Sequence, residues 1–301
     1  MYNKEKKPLP AGFMAFRTGE LDMLVVTDGM VSYDNDCFAP GIPREQVNAL
    51  LQDHYMATEN IELAHNILVI QSRDKIVLID AGNGDKAGPD AGRLPENLLQ
   101  AGIPVDAVTD IVLTHAHPDH INGLTDSLKR LVFPHAQVHV SKIEYDFWTS
   151  ASPDFSNSKN STTALIAMQQ QAMDFFAVCQ DRLHFFSGED HLFGFLQPLH
   201  APGHTPGHYM FAITSGNEIF IHAADIFHED ILLFAQPEWG TIFDTDFAQA
   251  AATRKKVLEQ WALTRQRVFA YHLPWPGFGH IRKINNAYSW VPERYMTPQR
   301  Y

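Results

Sequence analysis

The run His115-Ala116-His117-Pro118-Asp119-His120 constrains this chain more than any other stretch. It follows Ile111-Val112-Leu113, a short apolar segment that reads as a buried strand. Pro118 breaks regular structure, so the polar cluster is expected on a loop at the strand's C-terminal end. Alternate spacing lets His115 and His117 converge on one point, while Asp119 and His120 are free to turn toward a second point nearby. Neutral imidazoles with a carboxylate suit zinc or a similar divalent cation, and no thiolate accompanies them.

Three later segments repeat this logic of a site residue placed after an apolar strand. They are Gly203-His204-Thr205-Pro206-Gly207-His208, Ala223-Ala224-Asp225 and Tyr271-His272-Leu273-Pro274. His204 would complete a three-histidine set with His115 and His117, and His272 would join Asp119 and His120. Asp225, a lone carboxylate after Ile219-Phe220-Ile221, would bridge the two cations. Two such cations would lower the pKa of a shared water, so that a bridging hydroxide becomes the nucleophile near neutral pH. The proton shuttle is then Asp119 or Asp225. Iron, manganese or cobalt would fit the same shell as zinc. Of the 16 histidines, seven (His54, His65, His135, His139, His184, His191 and His222) read as surface or satisfied interior residues. His208 and His280 are candidates to support the ligands.

The remaining pattern is α/β. Residues 1–19 read as an irregular arm, Leu21–Thr27 as a strand closed by a turn at Asp28-Gly29, and 43–54 as a helix. A hairpin is expected from the runs at 66–71 and 75–80, a helix over 90–102, a strand over 136–140 and a serine-capped helix over 141–148. A polar loop at 149–160 precedes an amphipathic helix at 161–179, and together they form a candidate lid near 149–180. Strands near 195–200, 208–213 and 218–222, a helix at 245–263 and a last strand at 267–271 follow. The two halves suggest facing β-sheets with helices outside, in a single domain spanning 1–301. With a net charge of −12 and no basic patch, a nucleic acid partner is disfavoured and a neutral small molecule fits. No apolar stretch approaches a bilayer span and no leader is visible, so a cytoplasmic location is expected, or a periplasmic one if a leader has been removed. Cys37 and Cys179 lie far apart and outside metal-type spacing.

The His-X-His-X-Asp-His pattern resembles the signature of the metallo-β-lactamase superfamily. Longer blocks resemble its methyl parathion hydrolase family: Thr27-Asp28-Gly29, Lys75 to Gly82, Asp146-Phe147-Trp148, and above all His272-Leu273-Pro274-Trp275-Pro276-Gly277-Phe278-Gly279-His280. This resemblance implies an αββα sandwich, a dinuclear zinc site, a homodimer, and hydrolysis of neutral esters: an organophosphate triester, an aryl ester or a lactone. It also implies that Asp80 supports the metal site and that Trp148 lies in the substrate pocket. Phe227 and His228 stand where that family is aliphatic, and Gly84 to Gly88 replaces a more apolar stretch, both changes making the expected pocket more polar. An acyl-homoserine lactonase without phosphotriesterase activity is the alternative. A diiron oxidoreductase is a reading of a different class, opposed by His117, where that branch carries a carboxylate.

Overall fold

The computed structural model describes residues 11–294. Two mixed β-sheets face each other with helices outside, an αββα sandwich. The first sheet has seven strands in chain order: β1 (Phe13–Thr18), β2 (Leu21–Asp34), β3 (Asn60–Ser72), β4 (Lys75–Ile79), β5 (Asp110–Val112), β6 (Gln137–Ser141) and β7 (Leu183–Phe186). β1 to β4 run antiparallel, and β4 to β7 run parallel. The second sheet contains β8 (Leu196–His200), β9 (Tyr209–Ser215), β10 (Glu218–His222), β11 (Val268–Phe269), β12 (Phe278–Ile284) and β13 (Ala287–Pro292). Its order runs from β13 to β8, and only β10 and β11 pair in parallel.

The two-residue period of a strand sorts side chains between layers. Leu68, Ile70, Val77 and Ile79 point between the sheets, where they meet Phe211, Phe220, Phe269 and Phe278. Their alternates Ile67, Val69 and Leu78 point outward into a second core with Leu94, Leu98, Phe175 and Phe176. These come from α2 (Leu94–Gln100) and α5 (Thr162–Cys179), whose layer also holds the short α3 (Pro118–Ile121) and α4 (Lys142–Thr149). On the far side, Val257, Leu258 and Trp261 of α7 (Phe247–Thr264) cover the second sheet. α1 (Arg44–Asp53) and α6 (Leu232–Ala235) pack together beside this layer. Among the described residues no helix is long and apolar enough to cross a membrane.

Several expectations are corrected. Of the arm expected over 1–19, residues 1–10 lie outside the described residues, and Phe13–Thr18 is an edge strand. The chain does not turn at Asp28-Gly29 but carries β2 on to Asp34 through a bulge. Gly29 has φ +113°, and a Cβ there would lie 2.0 Å from the Asp90 carbonyl. Asp28 is buried and collects N–H groups from Asn83, Gly92 and Leu94, so a turn-like dipeptide serves as an interior clamp. The helix expected from 90 therefore starts at Leu94, on the donor Asp28 accepts. The strand at 267–271 is not the last: β12 and β13 form a hairpin around Asn285, which takes the left-handed conformation at φ +54°. β7 was also not expected; its Leu-His-Phe-Phe sequence lacks alternation.

Candidate metal centre

The site lies at the C-terminal ends of β4, β5, β10 and β11, where loops leave the sheets. Seven donors gather there in two groups. Nε2 of His204 lies 3.1 Å from Nε2 of His115 and 2.8 Å from Nδ1 of His117. In the second group Nε2 of His272 lies 3.3 Å from Oδ2 of Asp119 and 3.0 Å from Oδ2 of Asp225. Nε2 of His120 lies 3.7 Å and 3.3 Å from the same two oxygens. Oδ2 of Asp225 also lies 3.4 Å from His204 and 3.9 Å from His115, so one oxygen faces both groups.

The rings are aimed by their outer nitrogens. Nδ1 of His120 meets the Asp80 carboxylate at 2.8 Å, Nδ1 of His204 meets Asp244 at 2.9 Å, and Nδ1 of His272 meets the Ala64 carbonyl at 3.0 Å. Carboxylates and carbonyls only accept, so each Nδ1 carries a hydrogen, and Nε2 is the atom turned inward, where a cation would take the place of its proton. Asp80 also accepts from the N–H and hydroxyl of Thr114, at 2.9 and 2.8 Å. His208 donates from Nδ1 to the Ala201 carbonyl and accepts the Asp225 N–H on Nε2, which pins the backbone of the shared carboxylate.

Burial and neighbouring imidazoles push His115 and His117 well below their ordinary value, leaving them neutral. Burial also lowers His204 and His272, but Asp225 with Asp244 or Asp119 outweighs it and holds both up at about 9. Asp225 itself is held well below the carboxylate range, against burial, by the surrounding histidines. Nε2 of His120, which faces the second group, is buried without a hydrogen-bond partner. Converging nitrogens, anionic oxygens and an unsatisfied buried donor atom fit divalent cations, which replace protons at such ligands on binding. His115, His117 and His204 would hold one cation, and Asp119, His120, Asp225 and His272 the other.

Four residues outside the expected set complete the architecture. Glu144 is wholly buried and accepts from Ala116 N–H (2.8 Å), Gly207 N–H (3.0 Å), Thr205 hydroxyl (2.6 Å) and Trp148 indole N–H (2.7 Å). It therefore ties the 115–120 loop to the 203–208 loop. Gly207 permits the approach, since a Cβ there would lie 2.2 Å from the Glu144 nitrogen. In sequence, Ser141 and Glu144 read as a capping box. The Glu144 N–H does bond to the Ser141 hydroxyl, but its carboxylate turns inward instead of back to the cap. Asp244, behind His204, is faced by the buried Arg254, whose guanidinium binds the Ile226, Pro237 and Trp239 carbonyls. His65, read as an ordinary interior residue, places Nε2 3.3 Å from Asp119.

The cleft over the donors is walled by Tyr33, Leu63, Met168, His228 and Phe243. Met168 belongs to α5, so one residue of the expected lid reaches the cleft. Trp148 does not line it: its ring is buried behind His117, 5.6 Å between centroids. Phe227 is likewise core, stacked on Phe234 at 4.5 Å, because alternation along the loop sends Phe227 outward and His228 inward. Phe278 packs between the sheets, and Trp275 is solvent-facing. Asp85 and Lys86 sit outside the cleft lining, with Lys86 on Asn122 and Thr125. His280 does not reach the donors: it bonds the Arg265 and Gln266 carbonyls at the end of α7, because β12 has by then left the site.

The model of the metallo-beta-lactamase superfamily matches residues 60–272, and the chain belongs to that superfamily. Among solved structures, it is 38% identical to AidC, a dizinc quorum-quenching lactonase solved with a product, over 95% of this chain and 99% of that one, with a TM-score of 0.90. The hydrolase AbOPH of the beta lactamase superfamily is 27% identical, covers 96% and 100%, and has a TM-score of 0.88. A probable metallo-hydrolase of Mycobacterium bovis is 26% identical over 187 residues, or 56% of this chain. The match spans 58% of that curated relative's length.

Proposed function

We propose that this protein is a dinuclear metallohydrolase that opens a neutral ester, with acyl-homoserine lactones as the leading substrate class. The observation that carries this reading is Asp225, whose single oxygen faces a three-histidine group on one side and an Asp-His-His group on the other. Bound cations, most fittingly zinc, supply Lewis acidity toward the ester carbonyl and lower the pKa of a water. The chain's own residues do the rest. Asp119 is the carboxylate that meets the cleft, 17% exposed against 2% for Asp225, and is placed to take the proton of an attacking water. His65 and His272 hold Asp119 in place through its Oδ2. Leu63, Met168 and Phe243 offer an apolar wall to an acyl chain and exclude water around it. The likeness to AidC favours the lactone over the organophosphate triester that the methyl parathion hydrolase resemblance implies.

Three probes separate these readings: hexanoyl-homoserine lactone, a nitrophenyl acetate and methyl paraoxon, each with metal-analysed protein. Lactone turnover abolished by chelation, with little on the triester, is expected. Fast triester turnover with none on the lactone would move the function to phosphotriester hydrolysis. No turnover of any probe by protein carrying two metals would remove the ester reading.

A further inference from the structure

Resting on that two-cation reading, we propose that Tyr271 is a positioning residue that locks Asp119, His120 and His272 into one unit around the second cation. The side chain is fully buried, and its hydroxyl donates to the backbone carbonyl of Asp119 at 2.7 Å. That carbonyl lacks its ordinary helical partner. α3 ends at Ile121, and the Gly123 N–H, which would bond the Asp119 carbonyl in a longer helix, goes to the Gly82 carbonyl instead. The Tyr271 ring also lies on the imidazole of His120, 4.2 Å between centroids and 27° between planes. His272 is its neighbour in the chain, with the two rings 4.8 Å apart. One side chain thus touches two of these ligands and is joined by the backbone to the third.

The loop that carries Tyr271 is itself held firmly. β11 is only two residues long and gives it little support. Asn66 of β3 supplies the rest: its backbone N–H donates to the Tyr271 carbonyl at 2.9 Å, and its side-chain amide donates to the carbonyls of Ala270 at 3.3 Å and Leu273 at 2.7 Å. Nδ1 of His272 reaches the Ala64 carbonyl on the same strand. Every residue from 270 to 273 is therefore tied to β3, and the phenol meets Asp119 from a fixed base.

Packing alone does not call for the hydroxyl. The ring sits in the outer core with Ala116 and Ile121, where phenylalanine would fill the same space. Burying a hydroxyl costs free energy unless a hydrogen bond offsets it, and here the bond goes to the residue whose carboxylate meets the cleft. The three-histidine group has separate ties, through Glu144 and Asp244, so losing the phenol hydroxyl should spare it.

The test compares wild type with Tyr271→Phe, which deletes only the hydroxyl, and Tyr271→Leu, which also removes the ring from His120. Zinc titration of chelator-treated protein and steady-state kinetics on hexanoyl-homoserine lactone are measured on each. In Tyr271→Phe the first zinc should bind as in wild type and the second roughly 10- to 100-fold more weakly, the usual cost of losing a support of a metal ligand. Its kcat should fall with a smaller change in KM, and excess zinc should restore part of the loss. Tyr271→Leu should weaken the second zinc further and still hold the first. An unchanged second zinc in Tyr271→Phe would overturn this inference. Equal weakening of both zincs would also overturn it, by making the hydroxyl a support of the whole fold. A wild type that binds two zincs but hydrolyses no ester or lactone would overturn the functional reading alone, since the zinc affinities decide the role of Tyr271 independently.

Discussion

Asp225→Asn is expected to lower kcat by more than about 100-fold, the upper end of what losing a supporting residue of a metal site costs. The substitution keeps the size of the side chain, and the His208 ring still receives the backbone N–H of residue 225, so the fold is retained. What changes is charge at the one oxygen that five histidines approach within 4 Å, namely His115, His120, His204, His228 and His272. An amide oxygen is a weaker cation ligand than a carboxylate, and an amide NH2 turned inward would oppose those same imidazoles. Metal content should fall below two per chain together with activity. Near-normal turnover at two metals per chain would remove Asp225 from the shared position.

Glu144→Ala is expected to give the largest loss of stability, about 3–5 kcal/mol, since each buried donor left without its acceptor costs about 1–3 kcal/mol and relaxation recovers part of the sum. The deletion strands four donors: two backbone N–H groups, the Thr205 hydroxyl and the Trp148 indole. Burial holds the Glu144 carboxyl above its ordinary value, and the four donors offset that only in part. Because Ala116 and Gly207 sit in the two loops that bring His115, His117 and His204 together, metal affinity should also fall, by roughly 10- to 100-fold. Denaturant unfolding and a metal titration measure the two effects. Stability within about 1 kcal/mol of the parent, the worth of an ordinary hydrogen bond, would show that the two loops are held by something other than Glu144.

The sequence disclosed the donors far better than their supports, and the reason is physical. Each candidate ligand follows a short apolar strand, and its residue type is unusual at such a position; His115 after Ile-Val-Leu and Asp225 after Ile-Phe-Ile stand out. The structure brings all seven into one cluster. Glu144 and Asp244 were hidden because each occupies a place where a carboxylate has a local explanation, the third position of a capped helix and the approach to a helix start. Only tertiary packing turns them inward. The αββα layering was legible from strand periodicity, whereas β1, β7 and the β12–β13 hairpin were not. Edge strands and two-residue asparagine turns leave little pattern to read. Trp148 and Phe227, expected in the pocket, lie outside it for a related reason. Phe227 and Trp148 are large and lie near the site in sequence, but size alone sends such side chains into cores. Apart from His228, the walls come from β2, β3, α5 and the 243 loop, distant in sequence from the donors.

Seven residues are expected to hold two cations at once, and zinc titration of chelator-treated protein tests that most directly. Lactone hydrolysis should be absent after chelation, should return as zinc is added, and should level off at two equivalents per chain, with Asp225→Asn failing to follow. A plateau at one equivalent, or hydrolysis that survives complete removal of metal, would contradict the dinuclear assignment.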